Sequence, residues 1–405
     1  MDRKSIKRTW IAVVIIFLVI SMGLGGVFFV QAKMNNDGIQ TPSKARIDLP
    51  VSSADDVDRL SQTFYNMLHH RGLWLYDLMN ATADPPVSDR SDIDAVFEEA
   101  YSRGIIDSYT DDDVHGSLDR RFVAQTIVKA FGYEPKSIGG AADIDSQDGD
   151  LETLAYYGWF LPDDSNCLYP NSLITSDEYD MLLDELDRYR LLRGKKVLSF
   201  GDSIMYGRGN DGEGISDMIA QKYGMECADY AVSGYSMGIC KDRGHIAKQI
   251  LNASAANEKA DIILLNGATN DVKNTAFGTL TSGFDPKKLD ETTFTGGFER
   301  SMWLISKFWK DVPVVYVRAH NMDLGKNIAE KKYGERGLQV AEKWGAATVD
   351  LYNESGLNTE DPEMRSKYTF KRDGAKRADS IHPTALGYAK FYLPLTGEKM
   401  EEQFK

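Results

Sequence analysis

The stretch that decides the fold is Lys196-Val-Leu-Ser-Phe-Gly-Asp-Ser203, a short apolar run that ends in a glycine, a carboxylate and a hydroxyl. Such a run, with a β-branched residue inside it and a glycine closing it, is typical of a buried strand. After Gly214 the apolar residues recur at helical spacing. Strand, tight loop and helix in this order predict the first unit of an α/β domain, with Ser203 at the end of its first strand.

The same alternation of strand and helix continues toward the C-terminus. Four more apolar runs predict strands at 228–232, 262–265, 314–317 and 347–351. Amphipathic patterns between them predict helices at 246–251, 298–309 and 328–344. We therefore expect a parallel sheet of about five strands with helices covering it. Ligands of such sheets sit outside the carboxyl ends of the strands, which is where Ser203, Gly234 and Asn270 fall.

Four short motifs stand at these strand ends in a fixed order. They are Gly201-Asp-Ser203, Ser233-Gly234, Gly267-Ala-Thr-Asn270-Asp271 and Asp379-Ser-Ile-His382-Pro383. Together they resemble the four blocks of the SGNH/GDSL hydrolases, over about residues 195–395. The resemblance implies a three-layer α/β domain that works as a carboxylic ester hydrolase.

The resemblance also implies the roles of individual residues. Ser203 is the expected nucleophile, with His382 and Asp379 completing a catalytic triad. The expected oxyanion hole consists of the backbone N–H groups of Ser203 and Gly234 and the side-chain amide of Asn270. A serine hydroxyl needs a base to take its proton, and histidine has the pKa that suits this near neutral pH. The triad chemistry requires no metal and no organic cofactor.

Two features of the sequence stand against this assignment. Asp229 occupies a position where the family commonly has Asn, which can alter the loop that holds Gly234. The stretch Gly234-Tyr-Ser236-Met-Gly238 also fits the Gly-x-Ser-x-Gly nucleophile elbow of the α/β-hydrolases. That alternative would make Ser236 the nucleophile, but it leaves the Gly-Asp-Ser and Asn-Asp motifs without a role.

The N-terminus predicts export and anchoring. Residues 10–30 carry no charge, and about 21 residues at 1.5 Å each span roughly 31 Å, close to the apolar thickness of a bilayer. Positive residues stand mainly before this run, so residues 1–9 are expected in the cytoplasm and everything after residue 31, including the linker at 31–54, outside. A single-pass signal-anchor in the cell membrane is favoured by the length of the run, and a cleaved signal peptide is the alternative.

Residues 55–190 are expected to form a mostly α-helical accessory domain before the hydrolase domain at 195–405. Two of its stretches look alike: a helix and an acidic turn lead to 118–122 in one and to 174–178 in the other. This pattern loosely resembles S-layer homology repeats and implies binding of cell-wall polysaccharide, with a plain helical spacer as the alternative. The acidic stretch 143–150 lacks the glycine that a calcium loop needs at its sixth position and is interpreted as a solvated turn.

Composition narrows the function further. The net charge of −14 provides no basic surface for nucleic acid. The three cysteines form no metal-binding pattern and are interpreted as packed thiols. His320 is interpreted as a surface-loop residue.

The expected activity is removal of acyl groups, acetyl in the first place, from carbohydrate or small esters. The alternatives are an O-acyltransferase with the same triad and a non-catalytic wall-binding protein with a degenerate hydrolase fold.

Overall fold

The computed structural model of this chain describes residues 71–82, 92–114, 116–241, 243–325 and 327–405. It also describes two short strands, β1 (Phe28–Phe29) and β2 (Arg46–Ile47), which pair antiparallel. Apart from these, the predicted anchor at 10–30 and linker at 31–54 lie outside the described residues, and Phe28–Phe29 are extended rather than helical. Among the described residues, no helix is long and apolar enough to cross a bilayer. The signal-anchor therefore stays a prediction.

The region before the sheet is helical, as its periodicity predicts. Its helices are α1 (Arg71–Thr82), α2 (Ile93–Ser102), α3 (Asp111–Val114), α4 (Arg120–Phe131), α5 (Gly149–Tyr156) and α6 (Ser176–Leu192). The two stretches that look alike in sequence lie side by side, because the N–H of Ile174 donates to the carbonyl of Leu118 at 2.9 Å. Each stretch starts a helix with a capping side chain, Asp119 for α4 and Thr175 for α6.

Five parallel strands follow, as the alternation of apolar runs predicts. They are β3 (Lys196–Phe200), β4 (Glu226–Asp229), β5 (Ile262–Asn266), β6 (Val314–Arg318) and β7 (Ala347–Asp350), in the spatial order β4-β3-β5-β6-β7. The chain adds β4 on one side of β3 and then crosses to add β5 on the other. This reversal makes the carboxyl ends of β3 and β5 the switch point where such sheets bind ligands.

One predicted strand is displaced. β4 begins at Glu226, two residues before the predicted start at position 228, and its first two residues are exposed. These exposed residues lie on an edge strand and include the charged Glu226, so the start of β4 does not show in an apolar pattern. Cys227 lies in this exposed strand and is itself exposed, so the prediction of packed thiols is wrong for it.

Helices cover both faces of the sheet. They are α7 (Ile215–Tyr223), α8 (Ile246–Ala255), α9 (Asp271–Asn274), α10 (Phe294–Phe308), α11 (Asn327–Lys343), α12 (Leu351–Glu354), α13 (Pro362–Tyr368), α14 (Ala385–Gly387) and α15 (Leu393–Glu402), with a π-helical segment, Tyr388–Tyr392, before α15. Successive strand residues alternate between faces, so Val197 joins one apolar cluster and Leu198 the other. The result is a three-layer α/β arrangement.

The helical region packs onto one of these layers. α6 lies against α7 and α15, and the apolar cluster that contains Trp74 of α1 also contains Val197 of the sheet. Lys222 of α7 is buried beside Glu185 of α6 at 2.9 Å. Burial of both apolar and paired charged groups at this boundary joins the helical region to the α/β region.

Candidate active site

Ser203 lies just beyond β3, in a loop that begins at Gly201. A side chain of helix α8 holds the backbone of Gly201. The side-chain amide of Gln249 on α8 accepts from the N–H of Gly201 at 2.9 Å and donates to its carbonyl at 2.8 Å. A Cβ at Gly201 would lie 2.5 Å from Cβ of Met205, so the turn requires a glycine. The chain is thereby bent sharply enough to present Ser203, which is 5% exposed.

Ser203, His382 and Asp379 form one hydrogen-bonded line, although 179 residues separate the first two. The hydroxyl of Ser203 donates to Nε2 of His382 at 2.8 Å, and Nδ1–H of His382 donates to Oδ2 of Asp379 at 2.7 Å. Oδ1 of Asp379 accepts from the N–H groups of Ile381 and His382, both at 2.9 Å. Burial raises the pKa of Asp379, but the hydrogen bonds from His382 and the backbone outweigh it, and the pKa is lowered.

The loop that carries Asp379 and His382 is pinned at both ends. The N–H of Phe370 donates to the carbonyl of His382 at 2.8 Å, and the N–H of Asp379 donates to the carbonyl of Phe370 at 2.9 Å. The hydroxyl of Thr369 donates to the carbonyl of Asp379 at 2.5 Å. The acid and the imidazole therefore sit on backbone that has few ways to move.

His320 contacts the same loop and is fully buried, so its interpretation as a surface residue is wrong. Its Nε2 lies 3.3 Å from the carbonyl of Ser380, which only accepts, so Nε2 carries the proton. Nδ1 then accepts from the hydroxyl of Tyr392 at 2.6 Å. Burial lowers the pKa of His320 to about 4, so the ring stays neutral and keeps this tautomer.

The buried carboxylate of Asp271 holds the backbone on the side of the site where the oxyanion hole is expected. Asp271 accepts from the N–H groups of Met237 and Gly238 at 2.9 and 3.0 Å, which fixes the loop after Gly234. Asn270 donates from Nδ2 to the carbonyl of Tyr235 at 2.8 Å. An amide nitrogen carries two hydrogens, so Asn270 can hold this carbonyl and still offer one N–H to an oxyanion. Gly234 has φ +87°, a conformation that glycine adopts without strain.

Two buried aspartates lie behind these loops. Burial raises the pKa of Asp202 to about 6, although the N–H of Ile204 donates to its Oδ1 at 2.9 Å. Burial likewise raises the pKa of Asp271 to about 6. Groups with such shifts often stand at functional sites, because burial and charge are arranged there for chemistry.

The alternative nucleophile, Ser236, is placed differently. Its side chain is fully buried, and its hydroxyl donates to the carbonyl of Gly238 at 2.7 Å. A serine activated for catalysis needs its hydroxyl directed at a base. The hydroxyl of Ser236 is instead part of the turn that Asp271 anchors.

Asp229 holds the backbone after β4 through its side chain. Its Oδ1 accepts from the hydroxyl of Ser199 at 2.5 Å and from the N–H of Ala231 at 2.9 Å. Burial raises the pKa of Asp229 to about 6. The loop toward Gly234 is therefore held in spite of the charge.

Within the described ranges, His, Cys, Asp and Glu side chains do not gather in a group of three that could hold a metal. The acidic turn that invited a calcium interpretation uses its carboxylates internally. Asp143 accepts from the N–H groups of Leu168 and Tyr169, and Asp148 pairs with Arg121 at 2.6 Å.

Several supporting residues escape prediction from sequence. Gln249, His320 and Tyr392 are polar groups in otherwise apolar helical or strand-end patterns. A buried polar group needs a hydrogen-bond partner, so each such position suggests a specific contact. The sequence alone does not say which backbone group that partner is.

The C-terminal half of the chain is similar to known proteins. Residues 199–390 match the model of the GDSL-like Lipase/Acylhydrolase family. A Lactobacillus plantarum protein of solved structure is 20% identical, with a TM-score of 0.42, and the match covers 52% of this chain and 96% of that one. The lipase/acylhydrolase from Enterococcus faecalis is 16% identical, with a TM-score of 0.36 and coverages of 52% and 97%. A carbohydrate acetylesterase from Sinorhizobium meliloti is 12% identical, with a TM-score of 0.36 and coverages of 52% and 100%.

The search of curated proteins returned no match. The family match begins inside β3 and ends in the π-helical segment, so it contains Ser203, Asn270, Asp379 and His382. Residues 199–390 of this chain are therefore a GDSL-like lipase/acylhydrolase domain, which is consistent with a serine hydrolase of the SGNH type.

Proposed function

We propose that the chain is a membrane-anchored, extracytoplasmic serine esterase that removes acyl groups, acetyl in the first place, from carbohydrate or related esters. The observation that carries the chemical part is the line of hydrogen bonds from Asp379 through His382 to the hydroxyl of Ser203. A base at 2.8 Å from a serine hydroxyl and oriented by a carboxylate is the arrangement that acyl transfer through serine needs.

The proposed reaction proceeds in two halves. Ser203 Oγ attacks the ester carbonyl carbon while Nε2 of His382 takes the hydroxyl proton, and Asp379 stabilises the imidazolium. The carbonyl oxygen becomes an oxyanion that accepts from the N–H groups of Ser203 and Gly234 and from the amide of Asn270. His382 then gives its proton to the leaving alcohol oxygen, which leaves an acyl-serine. Water attacks this ester with His382 again as base, and the carboxylic acid leaves as Ser203 regains its proton.

The location and substrate class rest on sequence. The apolar run at 10–30 favours an anchor, and an anchored enzyme outside the cytoplasm would meet O-acylated glycans of the envelope. We include in the proposal that residues 55–190 hold wall polysaccharide. Protease added to intact cells should degrade the C-terminal domains, and purified wall polysaccharide should retain the full chain. Resistance to protease in intact cells would contradict the location.

The nucleophile is tested by labelling. A fluorophosphonate probe forms a covalent adduct with an activated serine, and mass spectrometry of peptides then locates it. We expect the adduct at Ser203 and expect Ser203→Ala to lose hydrolysis of 4-nitrophenyl acetate, because His382 and Asp379 alone cannot form the acyl-enzyme. The folded state of the variant is checked by circular dichroism. An adduct at Ser236 with Ser203 unmodified would assign the nucleophile to the elbow motif instead.

A further inference from the structure

The loop that follows Ser203, residues 204–214, is called here the nucleophile loop. It folds back on its own start, because the N–H of Arg208 donates to the carbonyl of Ser203 at 3.0 Å. At its middle it lies directly on the backbone of His382 and Pro383. A Cβ at Gly209 would be 2.3 Å from the carbonyl oxygen of Pro383 and 2.9 Å from that of His382. A shift of this loop would therefore press on the residue that is expected to be the base.

The nucleophile loop is held by a residue of the helical region. Tyr156, the last residue of α5, is 4% exposed. Its hydroxyl accepts from Nδ2 of Asn210 at 2.7 Å and donates to the carboxylate of Glu213. The same carboxylate pairs with Lys136, also of the helical region. Burial raises the pKa of Glu213, but the hydrogen bonds from Lys136 and Tyr156 outweigh it and lower the pKa, so the group stays charged.

A second contact reaches the same loop by another route. Gly158, with φ +72°, lies so close to the π-helical segment that a Cβ there would be 2.8 Å from the carbonyl oxygen of Ala389. The neighbouring Tyr388 donates its hydroxyl to the carbonyl of Ile204 at 2.8 Å. The helical region therefore supports both the start of the nucleophile loop, next to Ser203, and its far end at Asn210 and Glu213.

We propose that Tyr156 is a positioning residue for the esterase site. Through Tyr156 the helical region contributes to catalysis, because it holds the nucleophile loop in place. The inference rests on the proposed function in taking Ser203 as the nucleophile. Tyr156 acts through Asn210 and Glu213, which fix the nucleophile loop against His382. Misplacement of reacting groups by about 1 Å can cost roughly 10²-fold in rate, so a single lost hydroxyl at this point is measurable in kcat.

The test compares two tyrosines of the helical region. Tyr156→Phe removes the hydroxyl that holds the nucleophile loop. Tyr133→Phe is the matched control, because the hydroxyl of Tyr133 crosses the same boundary but donates to the carbonyl of Lys222 at 2.5 Å, at the end of α7. Both variants are made in the full chain. For each we measure kcat and KM for 4-nitrophenyl acetate, the rate of fluorophosphonate labelling and the melting temperature.

We expect Tyr156→Phe to lower kcat and the labelling rate by about tenfold, with KM changed less than about twofold. Tyr133→Phe should keep kcat and the labelling rate, even if both variants lose thermal stability. Equal kcat losses in the two variants would reduce Tyr156 to a structural residue, and unchanged kcat in Tyr156→Phe would overturn the positioning role. If Ser203→Ala stays active, the proposed function fails, whatever Tyr156→Phe does.

A second variant tests the same hydrogen bond from the side of the nucleophile loop. Asn210→Ala removes the partner of Tyr156 from the nucleophile loop itself. If the two residues act as a unit, the double variant should be no slower than the slower single variant. Full additivity of the two losses would contradict a common action on the loop.

Discussion

Asp229 is a carboxylate in a place where a neutral amide would make the same hydrogen bonds. Its Oδ1 accepts from Ser199 and Ala231, and the oxygen of an asparagine could accept from both. Burial raises the pKa of this carboxyl from the ordinary 3.8 to about 6. The folded state therefore binds the proton more tightly than the unfolded state does. Its contribution to stability is fully present below pH 4 and is lost as the pH rises through about 6.

We therefore predict that Asp229→Asn stabilises the protein near neutral pH. The gain should be on the order of 1–3 kcal/mol at pH 7 and should shrink toward zero at pH 4, because the wild-type carboxyl is then protonated. Urea unfolding at several pH values measures it. The same substitution at the exposed Asp373 serves as control and should show no such trend. A stability difference that does not change with pH would contradict the buried charge as its cause.

At the scale of elements, the π-helical segment Tyr388–Tyr392 connects both halves of the candidate triad. Tyr388 donates to the carbonyl of Ile204, beside Ser203. Tyr392 donates to His320, and His320 donates to the carbonyl of Ser380, between Asp379 and His382. Single π-helical turns occur frequently at functional sites. Here the turn directs one hydroxyl to the loop after Ser203 and the other to His320, which in turn contacts the loop of Asp379 and His382.

This arrangement predicts the effect of Tyr392→Phe. Without that hydroxyl, Nδ1 of His320 loses its donor, so the proton can move from Nε2 to Nδ1 and the hydrogen bond to Ser380 is lost. We expect kcat for 4-nitrophenyl acetate to fall by about tenfold with little change in KM, since the binding surface is unaltered. Tyr230→Phe, at the edge of the sheet, is the control and should keep kcat. Equal kcat in wild type and Tyr392→Phe would exclude a role of this chain of hydrogen bonds in positioning the loop.

On the scale of the whole molecule, charge is unevenly distributed. The chain has a net charge of −14, yet Lys371, Arg372, Lys376 and Arg377 stand exposed in the loop that ends at Asp379. Phe370, at the start of this loop, is hydrogen-bonded to His382, so the cations emerge directly beside the candidate base. Lys367, before them, is half-buried and pairs with Asp164 at 3.8 Å. The exposed four can draw an anionic polymer toward Ser203.

We predict that activity on an anionic acylated glycan falls with salt, while activity on neutral 4-nitrophenyl acetate does not. The reason is the Debye length, which shortens from about 10 Å at 0.1 M to about 3 Å at 1 M. A variant with the four exposed cations changed to Gln should lose the salt dependence, and Lys367→Gln should keep it. An equal salt response for both substrates would exclude the steering role.

Much of the fold can be predicted from local patterns. The apolar runs place β3, β5 and β6 within about one residue, because strands covered on both faces are nearly continuous in apolar residues, and they also place the edge strand β7 within one residue. The start of β4 escapes this approach because its first two residues, Glu226 and Cys227, are exposed and form no apolar run. The S-layer likeness of residues 55–190 and the signal-anchor at 10–30 stay predictions.

The sequence by itself determined the α/β class of the C-terminal half and the residue types at the strand ends, because periodicity and short motifs are local properties. It named Ser203, His382 and Asp379 as candidates but could not show that they touch. Only the tertiary structure decided that Gln249 holds Gly201, that His320 is buried against Ser380 and that Tyr156 reaches the nucleophile loop. These contacts join residues far apart in the chain, and the partner of a buried polar group is chosen by packing rather than by its neighbours in sequence.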